Sequence, residues 1–245
     1  MAFPDRSHLA PALLAIGVAA GGFLGGQGLV RMKAADRYVT VKGVAEREAK
    51  ADLAIWPLRI AVAGNDLGAA NTEMQESLGK IRAFLIRHRV DTTQLTVQDF
   101  AVQDAQANLY AGDRGNGPRF VISQTLLVRS TEPDVVAAAS QRVSELVAAG
   151  VPLSSGGEYG SGGPTFVFTG LNALKPEMIR AATAQAREAA EQFARDSRSR
   201  LGGIRQANQG YFEILPRDQA AGINEASQVA KTIRVVATVE YLLQE

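Results

Sequence analysis

A long uncharged run near the N-terminus constrains this sequence more than any other feature. Leu9–Val30 carries no charged side chain, and Gln27 is its one strongly polar residue. As an α-helix this run would be about 30 Å long, which is enough to cross the hydrocarbon core of a bilayer. We therefore expect a transmembrane signal-anchor helix over residues 9–30, preceded by a tail over 1–8 and followed by a linker over 31–37.

A cleavable signal peptide is the alternative interpretation of this run. Such a peptide has a short apolar region and ends at a site with small residues. Cleavage after Val18-Ala19-Ala20 would leave the apolar Gly21–Val30 on the processed chain, and a site at Lys33-Ala34-Ala35 places lysine where a small residue is needed. The sequence therefore favours a helix that stays attached.

Glycines recur within the expected membrane helix at a spacing of four. Residues four apart share a helix face, and small residues on one face let two membrane helices approach closely. This pattern predicts a packing surface between copies of the helix. The alternative is that glycine is simply frequent in membrane helices. The expected packing residues are Gly17, Gly21, Gly22, Gly25 and Gly26.

Charges on the two flanks of the run bear on its orientation. Asp5, Arg6 and His8 precede it, whereas Arg31, Lys33, Asp36 and Arg37 follow it. Positive residues are enriched in cytoplasmic flanks, so this pattern favours a cytoplasmic C-terminal side.

The overall composition is that of a folded protein and excludes several classes of function. The chain has 245 residues, 46% of them hydrophobic and 21% charged, with a formal net charge of +1. This balance gives no electrostatic reason to expect nucleic acid as a partner. Because cysteine is absent, disulfides, thiolate catalysis and cysteine-bound metals are excluded.

Alternating strands and amphipathic helices follow the uncharged run. Apolar residues alternate along 54–62 and 233–241, which indicates strands with one buried face. Helical stripes are expected over 67–85 and 136–146, and a long helix over 172–201 closed by Gly202-Gly203. Two runs, 95–102 and 120–128, are expected to pair as a hairpin. The order ββαββαβαββ predicts an α+β fold, with a mostly antiparallel sheet and helices packed on one face.

The interior of this long helix has its own expected pattern. Its buried stripe is predicted at Ile179, Ala182, Ala186, Ala189 and Phe193, and Arg187 is expected to pair with Glu191 on the opposite face.

The residue inventory gives no catalytic, cofactor or metal site. The two histidines are His8 in the tail and His88 at a helix end, where it suits the helix dipole. No nucleophile elbow, zinc motif or phosphate loop is present. A basic run beginning at the end of the long helix suits a solvated face, or an anionic lipid or partner; it contains Arg195, Arg198, Arg200 and Arg205.

Three separated stretches resemble the SIMPL-domain family of bacterial envelope proteins. Tyr38–Val62 resembles the family's opening strands: Gly43, Lys50, Asp52 and Ala54 fit the pattern, whereas Ala45 and Ala51 replace a glycine and a proline. The Ala/Arg-rich segment over 179–212, with its Leu-Gly break, and the closing TIRVVATVEYLL resemble the family's later elements.

The resemblance implies an α+β domain over 38–245, an extracytoplasmic location and self-assembly, but no agreed reaction. The expected protein is therefore anchored in the inner membrane through 9–30, faces the periplasm and forms a homo-oligomer with a scaffold role in the envelope, linked to stress. This location conflicts with the charge pattern on the flanks. The alternative is an envelope enzyme or small-ligand-binding protein that uses a polar groove.

Overall fold

The computed structural model describes residues 17, 19, 21–23, 37–107, 117–154 and 162–244. These residues form two antiparallel sheets together with helices, so the predicted α+β class is confirmed, although with two sheets rather than one. The strands are Tyr38–Lys50 (β1), Leu53–Gly64 (β2), Thr96–Asp104 (β3), Phe120–Ser130 (β4), Thr165–Val167 (β5), Arg200–Pro216 (β6) and Ala230–Gln244 (β7). The helices are Leu67–Arg87 (α1), Pro133–Ser140 (α2), Ser144–Ala148 (α3) and Leu171–Asp196 (α4), with a 3-10 turn at Glu225–Ser227.

Only part of the expected membrane helix falls among the described residues. Residues 17, 19 and 21–23 are helical, and Gly17, Gly21 and Gly22 have open space where a side chain would begin. Gly25, Gly26 and the rest of 9–30 lie outside the described residues. Within the described ranges, no helix has both the length and the apolar character needed to cross a membrane.

The chain divides into two compact units. The first unit contains the residues up to Ala45 together with Pro176–Phe212 and Val235–Glu245. The second unit contains Glu46–Lys175 and Glu213–Arg234.

The second unit is built on a four-stranded sheet with the order β3-β4-β2-β5. Antiparallel pairing sets Trp56 opposite Val128 and Ile60 opposite Gln124. The predicted alternation in β2 is confirmed, since residues 54, 56, 58, 60 and 62 are all buried. They share one core with apolar residues of α1, α2 and α3, so these helices cover that face of the sheet.

Helix α1 begins and ends where the sequence predicts. The Asp66 carboxylate accepts a hydrogen bond from the Ala69 backbone N–H at 2.7 Å, which caps the first turn. The helix ends at His88, and Arg89 then adopts a left-handed conformation with φ 61°. The expected second helix is instead two short helices, α2 and α3, and Gly150 follows them with φ 78°.

The first unit packs α4 against strands of the β1-β7-β6 sheet at a close distance. A Cβ on Gly43 would lie 1.9 Å from the Ala182 carbonyl oxygen and 2.5 Å from the Ala186 nitrogen. Only a glycine fits beneath the helix at this point. The helix meets the sheet with a ridge of small residues for the same reason, and its buried residues are Met178, Ala182, Ala186, Ala190 and Ala194.

Two sequence predictions about this region were wrong. Helix α4 ends at Asp196 rather than at Leu201, and Gly202 and Gly203 lie inside β6 rather than closing the helix. Arg198 takes a left-handed conformation with φ 56°, and the chain reverses there rather than at the glycines. The predicted buried stripe was also wrong at Phe193, which is 58% exposed.

Candidate functional site

Strand β3 is an open sheet edge with apolar side chains. It pairs with β4 on one side and, within the described part of the chain, with no strand on the other. Val97 pairs with Leu126 and Val102 with Ile122, so both valines continue the core face of the sheet. They are nevertheless 55% and 44% exposed. The apolar face of this sheet therefore extends beyond its helical cover.

A bulge interrupts β3 between Gln98 and Ala101. Asp99 lies in the bulge with φ 51°, and Phe100 beside it is 59% exposed. The extra residue shifts the alternation, and this shift is what places both Val97 and Val102 on the same face.

One ion pair links the ends of β3 and β4. Arg119 donates to both carboxylate oxygens of Asp104, at 3.3 and 3.2 Å. This hydrogen-bonded pair lowers the pKa of Asp104 below its usual value. The Arg119 guanidinium also lies 4.7 Å from the centre of the Phe120 ring. These contacts hold the hairpin closed at the end where the two strands leave the sheet.

A groove of about 660 Å³ lies in the first unit between helix α4 and strand β6. The helix supplies one wall and the strand the other, and the buried Tyr241 of β7 lies between them. The lining residues are Arg180, Thr183, Ala184, Arg187, Glu191, Leu201, Gly202, Gly203, Ile204 and Tyr241.

The groove opens on the β6 side because α4 is held toward β1. Gly43 of β1 lies directly beneath the helix backbone. The Gln185 side chain accepts a hydrogen bond from the Val44 backbone N–H at 3.0 Å. These contacts leave β6, the other outer strand of the sheet, with space beside the helix.

The two arginines of the groove differ in their partners. The predicted pair is confirmed, because Arg187 donates to the Glu191 carboxylate at 3.0 Å. This hydrogen bond raises the pKa of Arg187 above its usual value. Arg180 makes no hydrogen bond or ion pair with the residues that the structure describes. The groove therefore holds one neutralised guanidinium and one that is available for an anion.

The other predicted site residues do not form a common site. His88 lies 3.1 Å from the Glu145 carboxylate and packs against the Phe84 ring. Of the basic run, Arg195 is in the last turn of α4, whereas Arg200 and Arg205 are on β6. Among the described residues no three histidines, aspartates or glutamates are placed to hold a metal ion.

Sequence reasoning missed both surfaces. The signal for the groove was the pair Gly202-Gly203. When two glycines lie in a strand, they leave space beside it because neither has a side chain. The signal for the β3 edge was the pair of valines at 97 and 102, whose odd spacing requires a bulge if both are to lie on one face.

Comparison with known proteins places the chain in a family. The sequence model of SIMPL, described as a protein of unknown function (DUF541), matches residues 39–241. This chain belongs to the SIMPL family. The match spans β1 to β7 and therefore includes both the open edge and the groove. No curated protein is similar enough to the SIMPL chain to count as a match.

Three solved structures are distantly similar to the SIMPL chain. The regulatory subunit of aspartate kinase from Thermus flavus is 12% identical, with a TM-score of 0.23, over 82% of this chain and 89% of that one. A hydrolase from Listeria innocua is 12% identical, with a TM-score of 0.22, over 78% and 90%. An uncharacterized conserved protein from Listeria innocua is 12% identical, with a TM-score of 0.20, over 78% and 91%. These TM-scores are too low to support an argument about fold or function.

The residues that carry the SIMPL resemblance have structural roles in this chain. Gly43 allows the close approach of α4. The Asp52 carboxylate accepts hydrogen bonds from the Thr169 backbone N–H at 2.9 and 3.1 Å and from its hydroxyl at 2.9 Å, just before α4 begins. Ala54 is fully buried, and Lys50 forms an exposed ion pair with Asp134. Gly43, Asp52 and Ala54 therefore contribute to the packing of the fold and to the turn before α4.

Proposed function

We propose that this SIMPL protein is a self-assembling scaffold of the bacterial cell envelope, with a link to envelope stress. In this account residues 9–30 anchor it in the inner membrane, and the domain faces the periplasm and joins to other copies. The observation that carries the proposal is the open, apolar edge of β3. An edge of this kind is a template for pairing with another chain unless it is covered.

A second copy of the chain fits the β3 edge because the two exposed valines of the strand, Val97 and Val102, can lie opposite each other in an antiparallel pair. In an antiparallel pair of β3 strands related by a two-fold axis between Asp99 and Phe100, Val97 of one copy lies opposite Val102 of the other. The bulge makes this register consistent, since both valines then lie on the core face of one continuous sheet.

Charged substitutions on β3 test this interface. A charged residue on the core face of an edge strand opposes pairing with a further strand, so Val102→Lys should convert the oligomer to smaller species. The matched control is Val147→Lys on α3, where the side chain is 61% exposed but lies on no open strand edge. Sedimentation velocity at micromolar concentration compares the two variants with the parent chain. An unchanged assembly in Val102→Lys would contradict an interface at β3.

The membrane anchor is tested by the N-terminus of protein extracted from membranes. The proposal expects the original N-terminal segment, because the sequence offers no good cleavage site. A start near Gly21 or Asp36 would show that the segment is cut away.

Reporter fusions at the C-terminus test the proposed orientation. Phosphatase activity is expected, since that reporter folds only outside the cytoplasm. Fluorescence of a cytoplasmic reporter without phosphatase activity would show that the charges on the flanks determine the orientation instead.

The glycines of the anchor are proposed to bring the helices of assembled copies together. Replacing Gly21 and Gly25 with leucine keeps the hydrophobicity but adds bulk, so crosslinking between helices should fall while the assembled body remains. Unchanged crosslinking would show that the glycines only reflect membrane composition.

A second candidate function, that of an envelope enzyme or small-ligand-binding protein, is favoured by the groove between α4 and β6. Its volume is in the range of small-molecule sites, and it combines an apolar wall with two arginines. Isothermal titration of the full chain with small carboxylates tests this alternative, and loss of binding in Arg180→Gln would support it.

A further inference from the structure

We propose that the groove between α4 and β6 binds an extended, acidic peptide segment of a partner protein. The segment adds to the outer edge of β6 as a further strand and places one carboxylate beside Arg180. This site lies in the first unit and goes beyond the scaffold function, which concerns β3 of the second unit.

The edge of β6 is suited to accept a strand. β6 pairs with β7 on one side and, among the described residues, with no strand on the other. Its N-terminal part contains Gly202 and Gly203, and a Cβ added to Gly203 would meet nothing within 4 Å. The face of β6 at Gly203 is therefore open, so a side chain of an added strand can lie over it. Main-chain hydrogen bonds supply affinity in this mode of recognition.

The groove beside the edge gives the added strand a place for its side chains. Successive side chains of a strand point to opposite faces, so every second one would enter the space between β6 and α4. The strand wall there is apolar, with Leu201 and the 56% exposed Ile204. A groove of about 660 Å³ has room for such side chains.

The charges of the helix wall select an acidic segment. Arg180, Arg187 and Glu191 lie along one side of α4, at spacings of two turns and one turn. Glu191 already neutralises Arg187 and would repel a second carboxylate at that end. Arg180 has no partner among the described residues, so one carboxylate there completes the charge balance. The groove is thus complementary to a segment with a single acid at one position.

Two pools of labelled peptides test this inference on the detergent-extracted full-length chain. Each pool contains acetylated heptapeptide amides with valine or threonine at the outer positions and one fixed central residue. That residue is aspartate in one pool and asparagine, its neutral isostere, in the other. Fluorescence anisotropy should show about tenfold tighter binding of the aspartate pool, because a hydrogen bond to a charged group adds about this much.

Three variants connect this binding to the groove. Arg180→Gln should remove the preference for aspartate and leave the asparagine pool unaffected. Gly203→Val should weaken both pools, since it adds a side chain in the groove where the side chains of the peptide would lie. Arg82→Gln, an exposed arginine of α1, is the matched control and should bind as the parent chain does.

Hydrogen exchange locates the bound peptide. With the aspartate pool present, amides within 201–205 should exchange more slowly, and those of β3 should not change. Val102→Lys should bind the peptides as the parent chain does, so failure of the β3 interface and failure of this inference give different results.

Several outcomes would overturn the inference. One is that the aspartate and asparagine pools bind with equal affinity. Another is that Gly203→Val binds both pools as tightly as the parent chain does. A third is that the peptide slows hydrogen exchange only in segments outside β6. Complete displacement of the peptide by millimolar phosphate would also overturn it, since the groove would then be a site for small anions only.

Discussion

At the residue scale, Gly43 sets how closely α4 approaches the sheet. The first heavy atom of any side chain there would lie 1.9 Å from the Ala182 carbonyl oxygen, which belongs to the helix backbone and cannot rotate away. Gly43→Ala must therefore move the helix. We expect a loss of about 1–3 kcal/mol in the free energy of unfolding, measured by urea titration with far-UV circular dichroism.

Gly203→Ala is the matched control for this prediction. It is the same substitution in another outer strand of the same sheet, but the added Cβ has open space. Its effect should stay within about 0.5 kcal/mol. Equal losses in the two variants would show that strand glycines in general, rather than the contact at Ala182, account for the effect.

The Asp104–Arg119 pair gives a pH dependence with a definite sign. Arg119 lowers the pKa of Asp104 in the folded protein below the ordinary 3.8. The pair therefore contributes stability above that pH, and the contribution is lost as the pH falls through the lower folded value. Arg119→Gln should be less stable than the parent chain at neutral pH, and urea titrations should show the difference shrinking below about pH 4. A difference that stays constant down to about pH 2 would contradict this account.

The sequence predicts single residues well where one force determines their placement. Alternation identifies the buried face of β2 because each of its apolar residues enters one core. The apolar stripe predicted for α4 is less accurate. Hydrophobicity favours Ile179 and Phe193 as buried residues, but the close approach at Gly43 selects small residues instead. The distance between helix and sheet depends on a contact between distant parts of the chain, which a local pattern does not contain.

At the element scale, Lys231 connects three pieces of the second unit. Its side chain is fully buried on β7, on the same face as Ile233. The ammonium group donates to the Phe166 carbonyl of β5 at 2.8 Å and lies 2.5 Å from the Glu225 carboxylate. It also donates to the Glu225 backbone carbonyl, which is part of the 3-10 turn. One lysine of β7 thus satisfies acceptors on two other elements, β5 and the 3-10 turn.

Lys231→Met should release the 3-10 turn from the sheet. The substitution keeps the length of the side chain but leaves the Phe166 carbonyl without its donor, so we expect a loss of about 2–4 kcal/mol. Hydrogen exchange should also rise at residues 225–227. Lys80→Met, an exposed lysine on α1, is the control and should change neither quantity. Unchanged exchange at 225–227 in Lys231→Met would show that other contacts hold the turn.

The elements themselves are largely predictable, but the end of α4 and the start of β6 are not. Gly202-Gly203 has the composition of a helix stop, and nothing local indicates that an edge strand begins at Arg200. Strand β6 is exposed along most of its length, so it lacks the alternation that reveals β2. The groove was missed for this reason, because one of its walls was assigned to the wrong element.

At the scale of the whole molecule, the order of strands and helices is sufficient to predict the class, and the three stretches that resemble SIMPL predict the family. The number of sheets is not predictable in this way, since strand order depends on which distant edges meet. The outer edges of β3 and β6, which pair with no further strand among the described residues, are also properties of the assembled sheets rather than of any segment. Strand β3 lies in the second unit, and residues 200–212 of β6 lie in the first unit. The two surfaces can therefore be tested separately.

The mass of the detergent-extracted full-length protein tests the central claim most directly. The chain has a mass of 26.0 kDa, and light scattering with subtraction of the detergent gives the mass of protein in each particle. The account predicts that each particle contains a fixed number of chains greater than one at micromolar concentration, so that its protein mass is that number times 26.0 kDa. A single chain per particle would contradict it, because the open edge of β3 would then be stable without a second copy.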